Sequence, residues 1–489
     1  MKNKLVNRFL LLLLATVSWV SCKDEYIYDD KEPDFLGASI YDFMQQDGHF
    51  TNFLRLIDDL DYTEVLTRTG SKTLFPARDE AFERFYQGNA YGVKRYEDFS
   101  PAQKRNLMNG SMLNMAYLSY MLSNVSGNAE NPAGEGQAFR KKTANTFLDT
   151  IPYATDETLF AANDYWERFR GKGLFLVPLA TAFPLVYFTP ANMQVRGITV
   201  GDFSTISNGL NYASDDIYIN GIRMKKNENG EKNRDITCKN GYIHVMKDVL
   251  LPPKSMADVI HDNGETNLFN RLLDKFAMPY YSASLDNQVH VYYDGSTPAR
   301  PLITDSVFAK VYMTESLNVD QNGNPLANYG LLYYDPSDVD YGGETDMGTM
   351  FVPTDKALND YINSEKGSYL KDAYGSWDNV PTPILALLMK NHQKKSFLSA
   401  LPHAWSEMND ESSFDMKVAT GEIKKSYFAS NGIVYVTEAV YPPIDYQSTY
   451  AATMTSGDTK IINWAIQDKS MKFYLYLRSM ENKYNLIVP

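Results

Sequence analysis

The sequence predicts an α+β protein in which one domain is repeated, and three observations support this. A strand-like stretch that opens with Asn-Gly and closes with Pro-Pro occurs at residues 240–253 and returns, one residue shorter, at residues 431–443. A shorter pattern, a strand that runs into a helix beginning with Asp, occurs at residues 73–82 and 349–358. Amphipathic helical stretches precede both copies of the shorter pattern. A recurrence at about 190 residues indicates a repeated domain rather than a short solenoid unit.

The N-terminal residues predict export and a lipid anchor. Basic residues precede a 12-residue apolar run at residues 9–20, which is too short to span a bilayer and fits a secretory signal. Ser21-Cys22 directly follows this run, and a lipoprotein signal peptidase would cleave before the cysteine. Residues 1–21 are therefore predicted to be the signal peptide and Cys22 the lipidated residue. An ordinary signal peptide with an incidental cysteine is the alternative. Residues 22–36 are acidic and aperiodic, which predicts a tether.

Length, net charge and cysteine content restrict the classes of protein to which this chain can belong. A chain of 489 residues is too long for one ordinary core and suggests two or three domains. The net charge of −13, with no compensating basic block, argues against a nucleic-acid partner. Cys22 and Cys238 are the two cysteines, so acylation of Cys22 would leave no internal disulfide. Stability must then come from packed cores.

The first copy begins with helices and closes with a strand. Apolar residues recur at three- and four-residue spacing within residues 40–66, which predicts a pair of amphipathic helices. A short strand then leads into a helix start, and a side-chain oxygen of Asp79 or of the preceding turn could cap that helix. In the closing stretch, Ile243 and Val245 alternate with His244 and Met246, the period of two that is typical of a strand.

These motifs resemble those of the fasciclin (FAS1) domain family. The family's first motif is close to Thr-Leu-Phe-Ala-Pro-Thr-Asp-Glu-Ala-Phe, and its second is close to Asn-Gly-Val-Ile-His-Val-Ile-Asp-x-Val-Leu-Leu-Pro. Residues 240–252 match the second motif closely, whereas residues 73–82 invert Ala-Pro to Pro76-Ala77 and place Arg78 where the family has Thr. The resemblance implies tandem fasciclin-like domains, each a β-sandwich or wedge with helices packed at one side.

The second copy is clearer at its front, and a third copy begins after it. Residues 266–276 predict its opening helix, residues 349–358 its first motif and residues 382–397 a central buried helix. Tyr435 stands where His244 stands in the first copy, so we assign His244 to packing. The predicted domains are residues 37–255 and 256–445. Residues 446–489 resemble the incomplete start of a third domain, and a C-terminal amphipathic segment that packs on the second domain is the alternative.

Spacing locates two insertions. The interval from Asp79 to Asn240 is 161 residues, but that from Asp355 to Asn431 is 76 residues. The first domain therefore holds extra material at about residues 125–200, and the second holds it at about residues 281–347. Inserted loops often carry the function that distinguishes one protein from others of the same fold. We therefore expect functional residues in these two insertions. Strands are predicted within the second insertion at residues 289–293, 307–314 and 329–334.

Two stretches of the second insertion invite comparison with calcium sites. Residues 318–324 favour a hairpin turn, because a calcium loop starting there would need Glu at its twelfth position, where Tyr329 stands. The acidic cluster near residue 340 has no recognisable ligand register, so a solvated acidic loop is predicted and calcium is the alternative. The cluster comprises Asp335, Asp338, Asp340, Glu344 and Asp346.

No catalytic, cofactor-binding or metal-binding residue is predicted. The six histidines form no His-Glu-x-x-His pair, and the sequence contains no Gly-x-Ser-x-Gly elbow or phosphate-binding glycine loop. The resemblance implies a module for cell-surface adhesion, or for protein–protein or extracellular-matrix interaction, without catalytic residues. The alternative function is a glycan- or nutrient-binding accessory lipoprotein of an outer-membrane uptake system, with exposed tyrosines of the insertions as its binding groups.

Two further resemblances concern location and modification. Lys23-Asp24-Glu25 resembles the acidic tag after the lipid cysteine of surface-exposed lipoproteins in Bacteroidetes. We therefore expect an outer-membrane lipoprotein that faces the exterior and binds an extracellular protein or glycan. The tripeptides around Thr150 and Ser306 resemble the Asp-Ser/Thr-aliphatic sequon for O-glycosylation in the same bacteria, so these two residues are candidate glycosylation sites.

Overall fold

Helices and short strands are interspersed throughout the computed structural model, which describes residues 37–68, 70–125, 134–180, 182–317, 331–410 and 413–447, and residues 453, 459, 461 and 462. The α-helices are α1 (Ile40–Asp47), α2 (Thr51–Asp59), α3 (Thr63–Arg68), α4 (Asp79–Phe85), α5 (Pro101–Gly110), α6 (Glu157–Phe160), α7 (Pro190–Val195), α8 (Val200–Ile206), α9 (Met256–Asp262), α10 (Asn267–Asp274), α11 (Ala283–Tyr292), α12 (Asp355–Asn363), α13 (Ser368–Tyr374), α14 (Thr382–His392) and α15 (Ile444–Gln447).

In the part of the chain that the structure describes, the strands are short and fall into four sheets of four strands each. They are β1 (Lys72–Leu74), β2 (Met112–Leu113), β3 (Arg140–Lys142), β4 (Tyr153–Ala154), β5 (Leu174–Val177), β6 (Pro184–Phe188), β7 (Tyr218–Ile219), β8 (Ile222–Arg223), β9 (Ile236–Cys238), β10 (Gly241–Ile243), β11 (Ala277–Tyr281), β12 (Val307–Tyr312), β13 (Gly348–Pro353), β14 (Gln393–Lys394), β15 (Ile423–Ala429) and β16 (Gly432–Thr437). Mixed helix and sheet of this kind is an α+β fold.

Two of the sheets have the same topology. The order β2-β1-β10-β9, the first-repeat sheet, recurs as β14-β13-β16-β15, the second-repeat sheet. In each sheet the strand of the shorter motif pairs in parallel with the closing strand, so that Leu74 lies opposite Ile243 and Met350 lies opposite Val434. Parallel partners need a long crossover, which explains why helices separate the two motifs in the sequence.

The Asn of each Asn-Gly pair holds a helix to its sheet. The Asn240 side-chain oxygen accepts a hydrogen bond from the backbone N–H of Ile40 at 2.9 Å, and Asn431 accepts one from Met256 at the same distance. The amide of Asn431 also donates to the backbone carbonyls of Pro336 and Asp338, at 2.9 and 2.8 Å. A free donor at a helix start is thereby satisfied by the first residue of the closing motif.

The Asp of each shorter motif caps the second helix of its repeat. The Asp79 carboxylate accepts hydrogen bonds from the N–H groups of Thr51 and Asn52, both at 2.9 Å. Asp355 accepts one from Leu268 at 2.7 Å. This carboxylate therefore caps the helix that precedes its motif. The prediction that Asp79 or the preceding turn caps the helix that follows was wrong, because α4 has no side-chain cap and Asp79 lies in its first turn.

One helix was missed and one strand was predicted wrongly. Helix α9 was not predicted, although Ser255 caps it and pairs with Asp258 as Ser39 pairs with Asp42 in α1. Residues 289–293, predicted as a strand, lie in or next to α11, where Leu285 and Val289 are buried one helical turn apart. The alternation of Val289 and Val291 suggested period two, but Val291 is exposed. The strand predicted at residues 307–314 is confirmed as β12.

The central sheet, β3-β6-β7-β8, lies between the cores of the two repeats. All five residues of β6 are buried. Leu185 and Tyr187 pack in one cluster with Phe75 of the first repeat, whereas Val186 and Phe188 pack in another with residues of the second repeat, such as Phe351. Most of the first insertion that the structure describes is therefore core structure, and not a separate functional appendage.

The fourth sheet joins the two insertions and is called here the inter-repeat sheet. Its order is β11-β12-β5-β4, and β5 of the first insertion pairs in parallel with β12 of the second. The described residues from Ser39 onward form one compact unit. The boundary at residues 255–256 therefore stays a prediction.

Several predicted segments lie outside the described residues. These are the signal peptide at residues 1–21, Cys22, the tether at residues 22–36, the turn at residues 318–324 and nearly all of residues 446–489. Of the strand predicted at residues 329–334, the described part forms a single bridge between Leu332 and Thr314. Within the described ranges, no helix combines the length and apolar character needed to cross a membrane.

Because the hydrogen bonds of Asn431 are buried, we expect Asn431→Ala to be much less stable than the wild type. The substitution leaves three buried backbone groups without their partner, so we expect the free energy of unfolding to fall by about 3 kcal/mol. Denaturant titration of the wild type and the variant measures this. Asn287→Ala, at an exposed position of α11, is the matched control and should change it by less than about 0.5 kcal/mol. An equally small loss in Asn431→Ala would contradict the prediction.

Because His392 is buried in its neutral form, we expect the fold to become less stable in acid. Its ring is fully buried, with Nδ1 2.9 Å from the Leu388 carbonyl and Nε2 accepting from the Tyr441 N–H at 3.2 Å. Burial lowers the pKa of His392 to about 4. Because the unfolded chain takes up this proton near pH 6.5, stability should fall between about pH 6.5 and 4, by about 3 kcal/mol from this group. NMR titration of the ring measures the pKa, and a value near 6.5 would contradict this.

Candidate functional site

The inter-repeat sheet presents three aromatic side chains in a row, called here the aromatic row. Tyr281 and Phe308 are cross-strand partners on β11 and β12, with ring centroids 5.7 Å apart, and Phe169 lies 5.1 Å beyond Phe308. Tyr281 is 42% exposed, and the two phenylalanines are partly exposed. The Tyr281 hydroxyl donates to Asp286 at 3.1 Å, which holds the ring at the sheet edge.

Arg168 lies over this row. Its guanidinium carbon is 4.7 Å from the Phe169 ring centroid and 5.2 Å from that of Phe308. Below the row, Phe169 contacts the buried Trp166, which donates to the Ala277 carbonyl at 3.0 Å. Aromatic rings with an overlying arginine are the side chains that dominate binding energy at protein interfaces. Because strands and a buried tryptophan support the row, it is preorganised for binding.

A second contact between the insertions uses a buried arginine. Arg140 on β3 is 2% exposed, and its guanidinium donates to backbone carbonyls of the acidic stretch, including Val339 at 3.2 Å and Asp346 at 3.1 Å. It also donates to the Ser430 carbonyl at 2.9 Å. Burial lowers the pKa of Arg140 to about 10, and the nearby carboxylates of the acidic cluster oppose that shift.

The acidic cluster is not the solvated loop that the sequence predicts. Glu344 pairs with Lys141 and Asp340 with Lys142, each at 2.8 Å, and all five acidic residues are at least partly buried. The Asp335 carboxylate accepts a hydrogen bond from the Tyr312 N–H at 2.9 Å, and burial raises the pKa of Asp335 to about 6. Among the described residues, no group of three or more His, Cys, Asp or Glu side chains is arranged to hold a metal ion.

The two candidate glycosylation residues lie on segments that lead into the inter-repeat sheet. Thr150 is exposed three residues before β4, and its hydroxyl accepts a hydrogen bond from Asn106 at 2.7 Å. Ser306 is exposed and directly precedes β12. The structure therefore leaves both hydroxyls accessible. Cys22, the predicted lipidated residue, lies outside the described residues.

His244 belongs to the core, as the comparison of the two copies predicts. It is fully buried and stacks on Phe75 with ring centroids 5.6 Å apart, while Tyr435 stacks on Phe351 at 5.3 Å. Nδ1 of His244 accepts from the Asp235 N–H at 3.1 Å, so Nε2 carries the proton and donates to the Tyr117 carbonyl. Burial lowers the pKa of His244. The packing role is confirmed.

The tyrosine pairs of the second insertion differ in exposure. Tyr281 is exposed, whereas Tyr293 and Tyr334 are buried. Sequence reasoning named the exposed tyrosines of the insertions as a group without singling out Tyr281, and it missed Phe169, Phe308 and Arg168. The period-two alternation of β12 carried a signal for Phe308, because it places that residue opposite in face to the buried Val307.

Comparison with known proteins finds similarity to solved structures. No family model matches the chain, and no curated protein does. Among solved structures, the chain is similar to a FAS1 domain pair from the insect cell adhesion molecule fasciclin I. The two are 10% identical in sequence over 82% of this chain and 99% of that chain, with a TM-score of 0.22.

Proposed function

We propose that this chain is a tandem fasciclin-like protein with domains at residues 37–255 and 256–445, the start of a third domain, and a lipid anchor at Cys22. The sheet order that recurs in both repeats supports the tandem assignment. So do the matching contacts of Asn240 with Asn431 and of Asp79 with Asp355. These residues belong to the two motifs that resemble the family, and each has the same structural role in both repeats.

The proposed activity is adhesion at the cell surface through binding of an extracellular protein, without catalysis or a cofactor. The aromatic row under Arg168 is the observation that carries this proposal. Burying one large apolar side chain contributes about 1.5–3 kcal/mol, and interface hot spots are enriched in Tyr and Arg. An extended tether of residues 22–36 would allow the domains to stand up to about 50 Å from the membrane.

The second candidate function is glycan or nutrient binding as an accessory lipoprotein of an uptake system. The same row favours it, because the apolar face of a sugar can pack on exposed aromatic rings. An array of neutral and acidic glycans separates the two functions. Micromolar binding to one sugar, lost in Tyr281→Ala, would favour the accessory function, and binding to matrix proteins without sugar specificity would favour adhesion.

The adhesion proposal predicts that Tyr281→Ala and Phe308→Ala weaken attachment. Beads coated with the purified chain are counted on immobilised matrix proteins and on neighbouring cells. Each substitution removes an aromatic contact worth about 2 kcal/mol, so we expect at least about a tenfold loss in affinity. Tyr120→Ala, 61% exposed in the turn Ser119–Met121, is the control and should attach as the wild type does. Equal attachment of the Tyr281, Phe308 and Tyr120 variants would contradict the proposal.

We further propose that Thr150 and Ser306 are O-glycosylated in a bacterium of Bacteroidetes type. Their exposure next to the inter-repeat sheet supports this, because a glycan can extend into solvent from either hydroxyl. Intact-mass measurement of the protein purified from its native source should give a mass above that of the polypeptide and its lipid. Thr150→Ala and Ser306→Ala should each remove one glycan. A mass equal to the lipidated polypeptide would refute the modification.

A further inference from the structure

A cavity of about 320 Å³ opens at the surface of the second repeat, called here the second-repeat cavity. Its floor is apolar and consists of the buried residues Leu268, Ile362 and Trp377. The polar groups around it come from α10, α12, α13 and the turn Trp377–Asn379. Small-molecule sites commonly combine such a floor with a few convergent polar groups, and this volume is at the lower end of their range.

The first repeat has the same framework at the equivalent place. Arg55 on α2 pairs with Glu97 at 2.8 Å, as Arg271 on α10 pairs with Asp378 at 3.3 Å. Glu97 and Asp378 each occupy the second position of a short 3-10 turn. The two repeats can therefore be compared residue by residue around the cavity.

In the first repeat, a tyrosine takes the place of the open space. Tyr86 lies seven residues after Asp79, as Ile362 lies seven residues after Asp355. The Tyr86 hydroxyl donates to the Asn52 side chain at 2.8 Å, and the counterpart of Asn52 is Leu268. Burial raises the pKa of Tyr86 to about 12; the negative charges of Glu97 and Asp79 add to this shift, and the positive charge of Arg55 opposes it. The tyrosine ring thus lies among the counterparts of residues that line the cavity.

The second repeat also has an additional wall. Ten residues separate Tyr86 from Tyr96, but fifteen separate Ile362 from Trp377, and the longer segment contains α13. Lys371 on α13 lines the cavity, and its ammonium group donates to the Asn363 side chain at 2.7 Å. Compared with the first repeat, the second repeat therefore has a smaller side chain at the filling position and an additional polar wall.

We infer that the second-repeat cavity binds a neutral monosaccharide unit. Its lining has two cations, Arg271 and Lys371, and two carboxylates, Asp355 and Asp378, together with the exposed amide of Asn359. Sugar hydroxyls donate and accept hydrogen bonds, so a lining with both donors and acceptors suits them. The apolar floor suits the C–H face of a pyranose ring, and the balanced charge gives no preference to a charged ligand. This site is separate from the aromatic row, so either can fail alone.

Titration calorimetry of the full chain with glucose, galactose, mannose, N-acetylglucosamine and glucuronate tests the inference. We expect at least one neutral sugar to bind with a dissociation constant of about 1 mM or tighter. The double variant Leu268→Asn/Ile362→Tyr introduces the side-chain pair that fills the first repeat. It should weaken sugar binding at least tenfold while the unfolding temperature changes little. Tyr120→Ala, an exposed tyrosine outside both the cavity and the aromatic row, should bind the sugar as the wild type does.

If the double variant does not fold, Asn359→Ala and Lys371→Met replace it, because both residues are exposed at the cavity rim. Each should weaken binding severalfold by removing one polar contact. Absence of binding by all the neutral sugars, binding of glucuronate alone, or unchanged binding in a folded cavity-filled variant would each overturn the inference.

Discussion

Strand β6 must be buried on both faces at once, and much of the fold depends on this requirement. Its five residues alternate between two cores, with Tyr187 directed to the first repeat and Phe188 to the second. Each large apolar side chain buried in this way contributes about 1.5–3 kcal/mol. Removing the strand would expose apolar surface of both repeats. The first insertion is therefore the layer that packs against both repeats within one compact unit.

The local parts of this fold were predictable from sequence, whereas the long-range parts were not. Period-two alternation and turn residues predict the closing strands and their prolines. Asp79 was expected to cap the helix that follows it, and only the folded structure shows that it caps α2, which precedes it in the chain. No local pattern predicts that β5 pairs with β12, because paired residues such as Phe175 and Val307 are 132 residues apart and both strands belong to insertions. Helix α11 was missed since Val289 and Val291 suit a strand as well as a helix.

The same distinction applies to the candidate sites. Tyr281 was one of many tyrosines in the sequence, and the aromatic row also needs Phe169, which comes from another insertion. The second-repeat cavity could not be predicted from one repeat alone. It becomes visible when Tyr86 is compared with Ile362, after the buried caps have fixed the alignment of the two repeats. Residues whose polar contacts hold the framework are the same in both repeats, and residues that fill space can differ.

The contact between Arg140 of the first insertion and the acidic stretch of the second insertion is polar, and it still fixes one arrangement of the two segments. A buried guanidinium is costly to desolvate, and here backbone carbonyls accept its hydrogen bonds while Asp340 and Asp346 lower the cost. Its planar fork of donors matches several carbonyls at once, which a lysine ammonium cannot do in the same geometry. Apolar packing against β6 would tolerate small shifts between the layers. Because these hydrogen bonds require one arrangement, Arg140 fixes how the acidic stretch and β3 are aligned, and with it the position of the second insertion that presents Tyr281 and Phe308.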